Sequence, residues 1–147
     1  MGGLGVVFMD KELKREIMLD NYQNPFHHYD GDATFNKYRT NNESCIDDLN
    51  IYFKTKDNKL VDVCFEGEAC AISTSATSIM LKKLIGKTFD EIKYILNNYK
   101  KMINEEEYDK DVLEDLNAYD EIYLQPNRKT CALLPVKAIE KMLEENK

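Results

Sequence analysis

Apolar residues change their spacing twice along this chain, and the changes divide it into a helix, a set of strands and a further set of helices. Between Asp10 and Asn21, Leu13, Ile17 and Met18 recur at the period of one helical face until Asn24-Pro25 interrupts it. The middle section is rich in β-branched and aromatic residues over Thr34 to Thr40, Leu49 to Lys54 and Leu60 to Glu66, with Lys56-Asp57-Asn58-Lys59 as a turn between the last two. These segments predict three antiparallel strands. After Gly67 the helical period returns: Ile72, Ala76, Ile79 and Met80 share a face, and Gly86 is placed to end that helix. Thr88 with Glu91 forms a capping-box pattern ahead of the stripe Ile92, Ile95, Leu96, Tyr99 and Ile103. Glu105 to Tyr119 is acidic and weakly amphipathic, with Val112, Leu113 and Leu116, and reads as a short helix plus a loop whose charges face solvent. The chain closes on Cys131 to Leu143, where Leu133, Val136, Ile139 and Met142 or Leu143 fall on one side and Pro135 suits a first helical turn.

Strands first and helices after make this an α+β domain, a small three-stranded antiparallel sheet with helices packed against it. A length of 147 residues supports one hydrophobic core and is too short for two ordinary domains. Residues 9–147 are therefore read as a single unit. The Gly-rich residues 1–8 lack the basic and apolar regions of a signal peptide, and are expected to be a disordered extension or a cloning remnant.

Composition narrows the function classes. Hydrophobic residues at 43% and charged residues at 32% are those of a globular chain, not a disordered one. The balance of 27 acidic against 20 basic side chains, a formal charge of -7, argues against a nucleic-acid partner. No apolar run approaches the roughly 20 residues of a membrane span, so a cytoplasmic location is expected. Four cysteines without a secretion signal point to a reducing compartment, where cysteine clusters more often bind metal or do chemistry than form disulfides.

Cys45 and Asp47 are two apart in what reads as an extended loop, so both can face one point. Cys70 and Cys131 are each expected where a helix begins, where free amide groups favour a thiolate. Three thiolates and a carboxylate form a four-coordinate donor set suited to zinc. The spacing by itself is not that of a finger or ribbon, and each cysteine could instead be an ordinary buried thiol. Cys64, inside the run Val61 to Phe65, is read as a core or edge residue without a chemical role. His27 and His28 are read as solvated loop histidines.

At these same residues the chain resembles the U-type iron–sulfur assembly family, which includes IscU, SufU and the N-terminal domain of NifU. Cys45-Ile46-Asp47 is similar to the family's Cys-Gly-Asp, with Ile46 in place of the glycine. Phe65-Glu66-Gly67-Glu68-Ala69-Cys70-Ala71-Ile72-Ser73 matches Phe-x-Gly-x-Gly-Cys-x-Ile-Ser except at Ala69. Pro126-Asn127-Arg128-Lys129-Thr130-Cys131-Ala132-Leu133-Leu134 resembles the SufU pattern around the third cysteine, where IscU has His in the place of Thr130. The long acidic segment between Cys70 and Cys131 is similar to the insertion that sets SufU apart. Tyr22-Gln23-Asn24-Pro25 resembles the family's Tyr-x-x-Pro, and the likeness runs from about Lys11 to Leu143.

The resemblance implies a SufU/IscU-like fold and a zinc-dependent sulfurtransferase that accepts persulfide sulfur from a pyridoxal-phosphate-dependent, SufS-like cysteine desulfurase within the iron–sulfur assembly machinery. It assigns Cys45 as acceptor, with Asp47, Cys70 and Cys131 remaining on the metal. Arg128 is a candidate for partner docking or for offsetting the site's negative charge, or else forms a surface salt bridge. The alternative is a scaffold on which an iron–sulfur cluster is built on the same cysteines and passed on. A closed zinc site serving only folding is a third possibility.

Overall fold

A computed structural model of the chain describes residues 9–146; the reading of residues 1–8 lies outside the described residues. Helix α1, Lys11–Gln23, begins where Asp10 accepts the Leu13 N–H at 2.8 Å. Strands β1, Asn36–Asn41, β2, Asp48–Lys56, and β3, Lys59–Glu68, form one antiparallel sheet in the order β1-β2-β3. Helix α2, Ala71–Leu84, follows β3 directly, and Gly86 after it takes a φ of +84°, the left-handed conformation that ends helices. Helix α3, Phe89–Ile103, carries the complete capping box of Thr88 and Glu91. The expected strands and these two helix starts are all present, within a few residues of where the periodicity places them.

One face of the sheet builds the core. Leu49, Ile51 and Phe53 on β2 and Val63 and Phe65 on β3 are fully buried, with Ile51 opposite Phe65 and Phe53 opposite Val63. They pack in one cluster with Met80 and Leu84 of α2 and Ile92 and Tyr99 of α3. The other face carries Tyr52 opposite Cys64, both buried.

The acidic segment departs from its expected form. It holds a short helix α4, Lys110–Leu113, then a 3₁₀ helix, Glu114–Tyr119, and Leu113, Leu116, Ala118 and Tyr119 are buried in the same core. Its charged residues mostly face solvent, as expected, and the difference is that the expected loop is a 3₁₀ helix whose inner residues join the core. A further 3₁₀ turn, Ile122–Leu124, leads to helices α5, Pro126–Ala132, and α6, Leu134–Glu145.

Three features of this fold bring distant residues to one end of the sheet. The β2–β3 register sets Asp48 opposite Glu68, so Asp47 and Cys70 lie just beyond the paired ends of neighbouring strands. Gly67, at φ +122°, lets β3 pass close to β2, because a side chain there would collide with the Asp48 carbonyl oxygen. The Thr40 hydroxyl donates to the Leu134 carbonyl at 2.9 Å and ties the end of β1 to the α5–α6 junction. No helix among the described residues is long and apolar enough to cross a membrane.

Candidate metal centre

Cys45 and Asp47 sit in the short connection from β1 to β2, which closes around Asn42. The Cys45 N–H donates to the Asn42 carbonyl at 3.0 Å, the Asn42 N–H to the Asp47 carbonyl at 3.0 Å, and the Ser44 N–H to the Asn42 side-chain oxygen at 3.1 Å. Cys70 is the N-cap of α2, its sulfur accepting the Ser73 N–H at 3.4 Å. Cys131 arrives on α5. The ligating atoms of Cys45, Asp47, Cys70 and Cys131 all lie within 4.8 Å of one another.

Cys131 does not begin a helix. Pro126 opens α5, and Cys131 stands next to that helix's last residue. The reason is Pro135, which has no N–H to return to the Cys131 carbonyl four residues earlier, so the chain turns at Leu133 and restarts as α6. The favourable dipole end is thus available to Cys70 and not to Cys131. Burial pushes the Cys131 thiol above its ordinary value, and the neighbouring Cys70 adds to the shift. The Asn42 side-chain amide donates to the Cys131 sulfur at 3.7 Å.

Asp47 and Cys131 are each 2% exposed, whereas Cys45 and Cys70 are half-buried. Burial acts to raise the Asp47 carboxyl, but the hydrogen bonds it accepts outweigh this and hold it below its ordinary value. The Ser73 hydroxyl and the Cys70 N–H, the latter at 2.7 Å, are the main donors. The carboxylate is therefore ionised at neutral pH even though it is buried.

These donors fit zinc. A tetrahedron with Zn–S bonds of about 2.3 Å has edges of roughly 3.8 Å, so donors already within 4.8 Å need shift by no more than about 1 Å. Sulfur donors with one carboxylate suit a borderline-soft ion, and the same thiolates suit an iron–sulfur cluster.

Other candidates from the sequence fall outside this group. Arg128 is exposed on α5, three residues before Cys131, and among the described residues its guanidinium forms no ion pair, so the surface salt bridge considered for it is absent. His28 is exposed, but His27 is not a solvated loop histidine: its ring lies 2.7 Å from the Val63 carbonyl through Nδ1 and stacks on Phe26 at 3.8 Å. Adjacent aromatic rings and an unpaired strand carbonyl give that ring a better environment than water. Cys64 is fully buried, and burial with nearby Asp62 and Asp30 pushes its thiol up to about 11. Asn42 and Ser73 were not singled out for any role from the sequence. An Asn three residues before Cys45 and a Ser at the third position of the helix capped by Cys70 are the signals that mark them.

Comparison with known proteins places these residues among relatives. The family model of the NifU-like N terminal domain matches residues 13–143. The chain is 30% identical over 133 residues to the zinc-dependent sulfurtransferase SufU of Bacillus subtilis, covering 88% of each chain. It is 32% identical over 104 residues to the iron–sulfur cluster assembly scaffold protein IscU of Thermotoga maritima, covering 71% of this chain and 73% of that one. Among solved structures it is similar to a candidate iron–sulfur cluster assembly scaffold protein for the SUF system from Fervidobacterium islandicum, with a TM-score of 0.83, 33% identity, and 87% and 94% of the two chains covered.

Proposed function

This chain belongs to the NifU-like N-terminal domain family of iron–sulfur cluster assembly proteins, and from that premise we propose that it is a zinc-dependent sulfurtransferase that accepts persulfide sulfur from a cysteine desulfurase. The observation that carries this reading is the convergence of three cysteines and one carboxylate from three separate segments onto one point. Cys45, Asp47, Cys70 and Cys131 would hold the ion. Bound zinc would supply the positive charge that keeps the thiols ionised at neutral pH.

Cys45 is the acceptor in this proposal. It is half-buried on a connecting loop beside Ile46, which is 68% exposed, whereas Cys131 is enclosed and Cys70 is fixed as a helix cap. Its thiolate attacks the terminal sulfur of the persulfide on the desulfurase cysteine. The sulfur–sulfur bond of the donor breaks, the donor cysteine leaves as a thiolate, and a new sulfur–sulfur bond forms at Cys45. Asp47, Cys70 and Cys131 keep their places through the exchange. Arg128, exposed and without an ion-pair partner among the described residues, is available to a docking acidic surface or to the site's excess negative charge. The partner is a pyridoxal-phosphate-dependent, SufS-like enzyme, and the recipient belongs to the iron–sulfur assembly machinery.

The scaffold reading draws on the same thiolate-rich donor set, and what favours it separately is the likeness to the scaffold protein from Thermotoga maritima. The two are separated by a desulfurase assay on the zinc-loaded protein. The proposal predicts that wild type stimulates alanine release, that Cys45→Ser abolishes the stimulation with zinc retained at the other donors, and that Asp47→Ala lowers zinc affinity and stimulation together. Absence of stimulation, with a cluster forming when iron and sulfide are supplied, contradicts it in favour of the scaffold.

A further inference from the structure

Helix α2 carries Ser73, Thr74, Ser75, Thr77 and Ser78, all buried. A buried hydroxyl in a helix ordinarily returns to a carbonyl of the preceding turn. Thr77 does so at the Ser73 carbonyl, Ser75 at that of Ile72, and Thr74 at that of Ala69 just before the helix. Ser78 and Ser73 do not: the Ser78 hydroxyl donates to the Asn21 side-chain oxygen of α1 at 2.8 Å, and that of Ser73 faces the candidate ligands. With no exposure at all, its hydroxyl donates to Asp47 Oδ2 and lies 3.4 Å from the Cys70 sulfur and 3.2 Å from the Cys131 carbonyl oxygen. One side chain thus touches all three segments that supply the candidate ligands. The other Asp47 oxygen, Oδ1, accepts the Cys70 N–H at 2.7 Å, so both carboxylate oxygens are held by the start of α2.

We propose that Ser73 is a positioning residue for the metal site, fixing the Asp47 carboxylate so that it faces the ion in one orientation. The proposal rests on the reading of Asp47 as a ligand. Without the hydroxyl, Asp47 keeps the Cys70 N–H on Oδ1 and only a long thiol contact, 3.9 Å from the Cys70 sulfur, on Oδ2, so the ion must order the carboxylate on binding. Outer-layer hydrogen bonds of this kind are worth about 10–100-fold in metal affinity. Held on both oxygens, Asp47 stays in place while Cys45, on the open loop, is the donor free to exchange.

A double-mutant cycle tests this, because a residue acting only through Asp47 loses its effect once Asp47 is gone. Zinc affinity is measured by chelator competition for wild type, Ser73→Ala, Asp47→Ala and the double variant. Visible absorption of the cobalt(II) forms reports the donor set, and circular dichroism with thermal unfolding of the metal-free forms reports folding. Alanine removes one atom and is the better helix former, so α2 is retained. The expected result is roughly a tenfold loss of affinity for Ser73→Ala in the wild-type background and no further loss when it is added to Asp47→Ala. The Ser73→Ala cobalt spectrum should move toward that of Asp47→Ala. An equal loss in both backgrounds, or no loss in either, overturns the proposal. If Asp47→Ala weakens binding and Ser73→Ala does not, the positioning role alone falls. If Asp47→Ala leaves binding unchanged, the reading of Asp47 as a ligand falls and the positioning role with it.

Discussion

The four cysteines divide by their surroundings, and the division is chemical as well as geometric. Cys45 and Cys70 are half-buried at one end of the sheet, Cys131 is 2% exposed behind them, and Cys64 is fully enclosed on the far sheet face beside Tyr52. In the folded, metal-free protein an alkylating reagent should therefore label Cys45 and Cys70 and spare Cys64 and Cys131, as read by peptide mass spectrometry; rapid labelling of native Cys64 would contradict this. The raised Cys64 thiol also has a sign in stability. Its folded form keeps the proton between an ordinary value of 9.0 and about 11, where the unfolded chain has lost it. Its contribution is thus complete below about pH 9 and declines as pH rises through about 11. The candidate ligand residues that the fold brings together were legible in the sequence because thiols and carboxylates in known motifs announce their chemistry. Ser73 and Asn42 offered only their positions relative to Cys70 and Cys45, because a serine or asparagine gains a definite role from what the fold sets opposite it.

Among the elements, those with strong local signals formed where their residues place them. Thr88 and Glu91 close the capping box of α3, and alternation gives β2 and β3 their buried face. Two elements were hidden for identifiable reasons. Pro135 splits the final segment into α5 and α6, which moves Cys131 from the start of one helix to the end of another. In the segment from Glu105 to Tyr119 the short helix was legible, but frequent acids made the 3₁₀ helix that follows it read as a loop. Tyr119 there is 1% exposed and shares a hydrogen bond with Ser75 of α2. Leu116 is fully buried in the same cluster. Leu116→Ala should accordingly cost about 2–5 kcal/mol in denaturant unfolding. A loss within about 0.5 kcal/mol, as for a surface site, would return the segment to the solvated role its composition suggests.

As a whole, the molecule uses its sheet to align chain segments far apart in sequence. The β2–β3 register joins Asp47 to Cys70, and the bond from Thr40 to Leu134 brings the α5–α6 junction, and Cys131 with it, to the same end. The α+β class and the three-stranded sheet could be read from periodicity. The convergence at one point needed the family resemblance, because strand register and helix packing are not local properties of the sequence. The proposed activity draws on that convergence: it requires three enclosed or capped donors to stay fixed while the loop cysteine receives sulfur. Mass spectrometry of the zinc-loaded protein after a single turnover with a cysteine desulfurase and cysteine tests this most directly. A single added sulfur atom on Cys45, removable by reductant, is the predicted result; sulfur on Cys70 or Cys131 instead, or none on any cysteine while the desulfurase turns over, would contradict it.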